Sequence, residues 1–399
     1  MPTDLWFIAL FTIATAVALA ARRLEIPYTV ALVFAGLVLG ATHLFHPPEL
    51  GEKLLYQLFL PGLLFEAAYH LPPDELRTSK ARTVALAVPG VVIGMLITAA
   101  LLAATDHAGL PALPFRYGLV FAAIVSATDP IAVVALFKDL GAPRGLRVLV
   151  EAESLLNDGT AIVLFSVVTA IVTGGNASWL GAASFFVRVV AVGIAVGAGL
   201  GVAAVFVMKR ADDARLEITV TTIAAYGSFA LAERGHGSGV LATVTAGLVC
   251  AACSSRGATS EGSPGPVSAF WEYVAFALNS LVFLLVGFTV HVPLLLARWR
   301  LVLIAFVVSL LARAAIVVLV SLALRRTREH IPWTWSAVVT WGGLRGALSM
   351  VLALGLPPDF PHREDIVAMT FGVVLLSLFV QGLSITPLLR WLRLAERTS

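Results

Sequence analysis

Carboxylates set inside apolar runs are the residues of this chain best suited to chemistry. Asp129 sits in Ser126-Ala127-Thr128-Asp129-Pro130, and Glu153 and Asp158 sit in Glu151-Ala152-Glu153-Ser154-Leu155-Leu156-Asn157-Asp158. A carboxylate inside a bilayer is costly and usually marks an ion or proton path. Ser154 and Asp158 are four residues apart and share one helix face, with Glu153 and Asn157 on the adjacent stripe. One stripe can supply an ion ligand and a helper hydroxyl; the other can supply structural hydrogen bonds. A hard alkali cation takes oxygen ligands. Asp158, Ser154, the Thr128 carbonyl and Asp129 are all oxygen donors. A buried carboxylate must be neutralised by a proton or a cation, so the two compete for it. That competition suffices for exchange if access alternates between the two sides of a membrane. Asn157 beside Asp158 leaves one titrating group at this point, which predicts one-for-one, electroneutral exchange.

The elements that must hold these residues follow from composition. The chain has 399 residues, of which 59% are hydrophobic and only 13% charged, far from the roughly 25% charge of a soluble domain. Apolar runs of about 20 residues without strict alternation predict an all-α polytopic membrane protein rather than a barrel. Thirteen spans are expected, near 3–21, 28–42, 53–71, 82–104, 116–138, 147–173, 179–208, 215–232, 239–253, 269–291, 299–324, 332–355 and 364–390. About 18 of the 27 basic residues fall in odd-numbered loops and the C-terminus, against about 6 in even loops. This bias predicts an outer N-terminus and a cytoplasmic C-terminus. Three arginines remain inside spans: Arg188, Arg313 and Arg345. No basic block interleaves with aromatics, so nucleic acid is not an expected partner. The first apolar run has no basic residue before it, which argues against a cleaved leader.

An internal repeat is visible. Ala35-Gly36-Leu37-Val38 in span 2 recurs as Ala246-Gly247-Leu248-Val249 in span 9. An offset of seven spans gives the units opposite orientation, the inverted-repeat plan of transporters. The units would be about 1–173 and 215–391, joined by a linking helix at about 179–208. Span 12 is then the partner of span 5, and both carry breaks. Thr128-Asp129-Pro130 interrupts span 5, because proline cannot donate within a helix and favours a helix start after an Asp cap. Trp341-Gly342-Gly343-Leu344-Arg345-Gly346 invites unwinding of span 12. Matching breaks in two halves point to a transporter's binding site. Asp129 suits the positive N-terminus of a half-helix, and Arg345 the negative end of one in span 12.

Glu153 and Arg345 are expected to form a buried pair tying span 6 to span 12, because an unpaired charge at this depth is penalised. Glu66 in span 3 has two open roles: lining the cavity and reaching the ion through water, or snorkelling to the surface. Cys250 and Cys253 have Cys-x-x-Cys spacing but no second pair, so they are read as small thiols near a helix end.

Taken together, these segments resemble the NhaP/NHE-type monovalent cation:proton antiporters, the sodium/proton exchangers. The matching pieces are Ser126 to Pro130, Glu153 to Asp158, Phe65-Glu66-Ala67-Ala68, Ala35 to Gly40, Phe283 to Gly287 and Gly342 to Ala347, in order along nearly the whole chain. The resemblance implies a fold of 13 helices with a six-helix core domain, a dimerisation domain, and crossed, broken helices 5 and 12. It implies Asp158 as the ion- and proton-binding carboxylate, with Ser154, Thr128 and Asp129 in the site and Glu66 as an outer ligand. Na+ would sit at Asp158, Ser154 and Thr128. Asn157 would stabilise the core, and Glu153 would pair with Arg345. It further implies a homodimer in the cell membrane, working by an elevator-like motion, with no cofactor and no enzymatic activity. Few residues follow Arg390, so the cytoplasmic regulatory domain of animal exchangers is not expected.

Two rival classes have distinct signatures. A cation channel also uses intramembrane acids but usually shows a pore loop or filter, which is absent. An intramembrane aspartyl hydrolase would use Asp129 and Asp158 as a dyad; a serine hydrolase would show Gly-x-Ser-x-Gly, which is absent.

Overall fold

The structure is a computed structural model, and it describes residues 3–24, 26–41, 55–174, 179–210, 213–254, 265–290 and 292–394. Among these residues the regular structure is helical, with no strand. Most helices fall where the apolar runs predict them; those at 73–85 and 292–297 lie largely or wholly between the expected spans. They are α1 (Thr3–Leu24), α2 (Tyr28–Ala41), α3 (Leu60–His70), α4 (Pro73–Ala85), α5 (Val91–Ala104), α6 (Phe115–Ser126), α7 (Ile131–Asp139), α8 (Arg144–Val172) and α9 (Trp179–Met208). After them come α10 (Ala214–Arg234), α11 (Gly239–Ser254), α12 (Pro266–Thr289), α13 (Val292–Ala297), α14 (Trp299–Leu324), α15 (Trp333–Trp341), α16 (Ala347–Leu354), α17 (Arg363–Leu376) and α18 (Leu383–Trp391).

Seven helical stretches among the described residues are long and apolar enough to cross a membrane, and three shorter apolar helices accompany them. Fewer stretches pass that test than the thirteen spans expected. The expected spans 5 and 12 are each two half-helices: α6 and α7, then α15 and α16. The side chain of Cys253 and the basic residues Lys53, Arg256 and Arg397 lie outside the described residues.

The chain forms two compact units. One comprises Met1–Glu49, Ser79–Gly175 and Ser280–Ser399; the other comprises Leu50–Thr78 and Asn176–Asn279. Neither is a contiguous half of the sequence. Lipid tails are as apolar as leucine, so helices in a bilayer associate through close packing and small residues. In the first unit, a side chain at Gly36 would lie 2.2 Å from the Leu284 carbonyl oxygen, and one at Gly287 would lie 2.3 Å from the Val33 oxygen. These glycines therefore let α2 and α12 touch backbone to backbone. In the second unit, a side chain at Gly247 of α11 would lie 2.6 Å from Ala68 Cβ and 3.0 Å from the Phe65 oxygen of α3. The two Ala-Gly-Leu-Val copies thus do the same packing task at two helix crossings. The second unit is closed by a cluster of Phe65, Ala225, Ala246, Cys250 and Trp271, all fully buried. The Trp271 indole N–H is satisfied by Thr221 Oγ1 at 3.1 Å, as a buried indole requires.

Candidate ion-binding site

The first unit is organised around the two breaks. α6 stops at Ser126 and α7 starts at Ile131. Proline at 130 cannot donate to the preceding turn, which leaves the last carbonyls of α6 without helical partners. Asp129 Oδ1 accepts from Ile131 N at 3.0 Å, capping the second half-helix. α15 stops at Trp341, α16 starts at Ala347, and glycines fill the interval. The breaks are stitched together: Asp129 N donates to the Leu344 oxygen at 2.8 Å, and Ser349 Oγ donates to the Ile124 oxygen at 2.8 Å. A side chain at Gly346 would fall 2.5 Å from Asp129 Cβ, so the crossing needs glycine there.

Each first half-helix ends against an arginine, where the helix dipole is negative. Arg345 Nη1 donates to the Ser126 oxygen at 3.0 Å and the Ala127 oxygen at 3.3 Å, at the end of α6. Arg313 Nη2 of α14 donates to the Val339 oxygen at 3.2 Å, in the last turn of α15. Arg345 therefore serves the broken span 5, not a half-helix of its own span 12 as expected.

Glu153 also departs from expectation. Its partner is Arg313, through a two-pronged contact of 2.7 Å to Oε1 and 2.9 Å to Oε2, and not Arg345. Arg345 sits in a backbone break, where its N–H is fixed by Ser377 Oγ at 3.0 Å and its guanidinium is turned to the loose carbonyls. Arg313 projects from an unbroken helix and presents a planar fork to the carboxylate. Its sequence signal was its position midway along an apolar run, where a charge needs a partner.

On the hydrogen-bonding stripe of α8, the Asn157 amide nitrogen is engaged. Asn157 Nδ2 donates to the Ser126 oxygen at 2.7 Å and lies 3.2 Å from Thr128 Oγ1 and 3.4 Å from Glu153 Oε1. Ser154 Oγ donates to the Thr128 carbonyl at 2.5 Å. That carbonyl is thus partly engaged, although a carbonyl oxygen has a second lone pair to offer. Asp158 differs: its Oδ1 is buried and has no hydrogen-bond partner among the described residues. The charged groups acting on it include Asp129, Glu153 and Arg345. Asn157 Oδ1 and Arg313 Nε also lack partners, and both residues line a cavity of about 40 Å³ that Ser126 and Arg345 help to form.

Asp158, Ser154, Thr128, Asp129, Asn157, Glu153 and Arg345 therefore fall in one unit, around one crossing. Glu66 belongs to the second unit, where its Oε1 lies 3.2 Å from His70 Nδ1.

The family model described as sodium/hydrogen exchanger, transmembrane, matches residues 8–391. The chain belongs to the sodium/hydrogen exchanger family. It is 40% identical to the Na(+)/H(+) antiporter NhaG of Bacillus atrophaeus, over 96% of this chain and 74% of that protein. It is 37% identical to the Na(+)/H(+) antiporter NhaP of Pseudomonas aeruginosa, over 96% of this chain and 95% of the relative. The fold matches that of the sodium proton antiporter MjNhaP1 of Methanocaldococcus jannaschii, with a TM-score of 0.80 at 20% identity, over 99% of this chain and 100% of that one. As in other members of the exchanger family, the chain is a multi-pass membrane protein.

Proposed function

We propose that this exchanger-family chain is a secondary active transporter that swaps a monovalent cation for a proton at Asp158. Na+ is the first candidate, with K+ and Li+ as alternatives. The observation that carries the reading is that Asp158 Oδ1 is buried and has no hydrogen-bond partner among the described residues. Such a group is stable only when neutralised, and a proton and a sodium ion are equivalent in charge. Ser154 and the Thr128 carbonyl supply neutral oxygens beside it. Asp129 adds charge while holding its half-helix in place.

Counting the buried charges at the crossing supports one-for-one exchange. With every group ionised, Asp129, Glu153 and Asp158 carry three negative charges, against two positive charges on Arg313 and Arg345. One bound Na+ or one bound proton restores neutrality, so each half of the cycle carries the same net charge. Glu153, Arg313, Asn157 and Arg345 are structural in this scheme. Inverted repeats of about 1–173 and 215–391 flanking a linking helix, a homodimer, an outer N-terminus and a cell-membrane location belong to the same proposal. The breaks in spans 5 and 12 and the basic-residue bias support it. The named relatives are all Na(+)/H(+) antiporters, which favours neither the channel nor the hydrolase reading.

Proteoliposomes holding a proton gradient test this with each alkali cation. Adding Na+ dissipates the gradient with wild-type protein and does not with Asp158→Asn. Cation-driven proton movement that survives intact in Asp158→Asn refutes the assignment.

A further inference from the structure

Three segments of the first unit meet at a basic joint: 80–82 of α4, 144–147 at the start of α8, and 325–335 between α14 and α15. The Arg82 guanidinium lies 5.4 Å from the centre of the Trp335 ring, a cation–π contact. A side chain at Gly145 would lie 3.0 Å from the same indole and 4.0 Å from Arg82 Nη2. Glycine therefore lets α8 begin against this stack. Glu329 Oε2 accepts from the backbone N–H groups of Ala81 and Arg82, at 2.8 and 3.2 Å. That fastens the α14–α15 connection to α4 and engages its one carboxylate with backbone donors.

Lys80, Arg144, Arg325, Arg326 and Arg328 are exposed around the joint. Among the described residues, the last three have no carboxylate within ion-pair distance. A bias of basic residues to one side of a membrane accounts for their number, but not for their meeting at one place. The apolar surface beside them is exposed as well. Val318, Leu319 and Leu322, in the last turns of α14, are 52, 50 and 54% exposed, and Trp333 at the start of α15 is 69% exposed. Arg325 keeps helical backbone angles, so Val318, Leu322 and Arg325 follow one another on one face. The apolar face thus runs directly into the guanidinium groups.

We propose that this joint binds an anionic phospholipid of the adjoining leaflet. Its phosphate sits at Arg325, Arg326 and Arg328, and an acyl chain lies along the last turns of α14. Guanidinium groups present paired donors to phosphate oxygens. Basic clusters beside membrane helices attract anionic headgroups, and tryptophan favours the headgroup level. A soluble phosphate would use only the basic end; the exposed apolar face beside it favours the lipid. α14 also carries Arg313, the partner of Glu153. A lipid held at the end of α14 therefore steadies the helix that supports the crossing, and its binding raises Tm.

Native mass spectrometry of the full chain in detergent tests this, with phosphatidylglycerol or phosphatidylcholine of the same acyl chains. Phosphatidylglycerol should be retained preferentially and should raise Tm more than phosphatidylcholine does. Each of Arg325→Gln, Arg326→Gln and Arg328→Gln should weaken phosphatidylglycerol binding by roughly fivefold, the scale for one basic residue at an anionic surface. Together they should abolish the preference. Arg300→Gln, at the opposite end of α14, should leave it intact. Equal retention of the two lipids, a preference that survives the triple substitution, or an equal loss in Arg300→Gln overturns the site. Displacement of phosphatidylglycerol by inorganic phosphate alone overturns the lipid assignment and leaves a simple anion site. If the triple variant has a lowered Tm without lipid, the three single variants decide by the same measurement.

Discussion

The breaks in spans 5 and 12 are built from the same parts, arranged differently. In each, the first half-helix ends against a guanidinium: Arg345 at the Ser126 and Ala127 carbonyls, Arg313 at the Val339 carbonyl. In span 5 the restart is capped by a carboxylate, Asp129. In span 12 the restart at Gly346 has no side-chain cap. Span 12 is made of glycines because Asp129 and Arg313 press against them: a side chain at Gly343 would lie 3.0 Å from Arg313 Nε. The lesson is a division of labour. Span 12 yields space and exports its arginine; span 5 keeps the charged cap beside Asp158.

The arginines differ in a further way. Arg313 is neutralised by Glu153, whereas Arg345 meets carbonyls in its hydrogen bonds. This contrast is broken most severely by Arg313→Ala. It strands Glu153, which is about 1% exposed, and removing one partner of a buried pair costs about 3–5 kcal/mol. Detergent-solubilised Arg313→Ala should show the largest loss of Tm, and Arg345→Ala a smaller one. Equal losses would mean that Glu153 is not specifically paired with Arg313. Gly346→Ala comes next. Its new methyl group meets Asp129 Cβ at 2.5 Å, and overpacking of this kind costs about 1–3 kcal/mol. Transport should fall with Tm; a Gly346→Ala protein with wild-type transport would show that the crossing is loose. The smallest effect on stability belongs to Asp129→Asn. Asn caps about as well as Asp, so Tm should change by the equivalent of less than about 0.5 kcal/mol, while one negative charge is lost. The KM for Na+ should therefore rise with the fold intact. A large fall in Tm would assign the Asp129 charge to stability rather than to the ion.

Much of this was legible in the sequence, for physical reasons. The breaks were readable because proline and glycine act locally, through a missing N–H and a missing Cβ. The two stripes of α8 were readable because residues four apart share a helix face. That Glu153 needs a partner was also readable, from the cost of a bare buried charge. Which arginine answers was not. Arg313 and Arg345 both sit inside apolar runs, and the choice depends on which helix faces α8 across the bundle, a non-local fact. The engagement of the Thr128 carbonyl by Ser154 was hidden for the same reason. Gly36 and Gly247 stood out as a repeat, but their backbone contacts emerged only from the packing.

One measurement tests the central claim most directly: proton release when Na+ binds to the purified protein. It is read by calorimetry in buffers of different ionisation enthalpy, at a pH where Asp158 is protonated before the ion arrives. If Asp158 is the single group that a proton and a cation share, about one proton leaves per Na+ bound, and Asp158→Asn releases none. Na+ binding without proton release, or equal release from Asp158→Asn, would contradict exchange at this carboxylate.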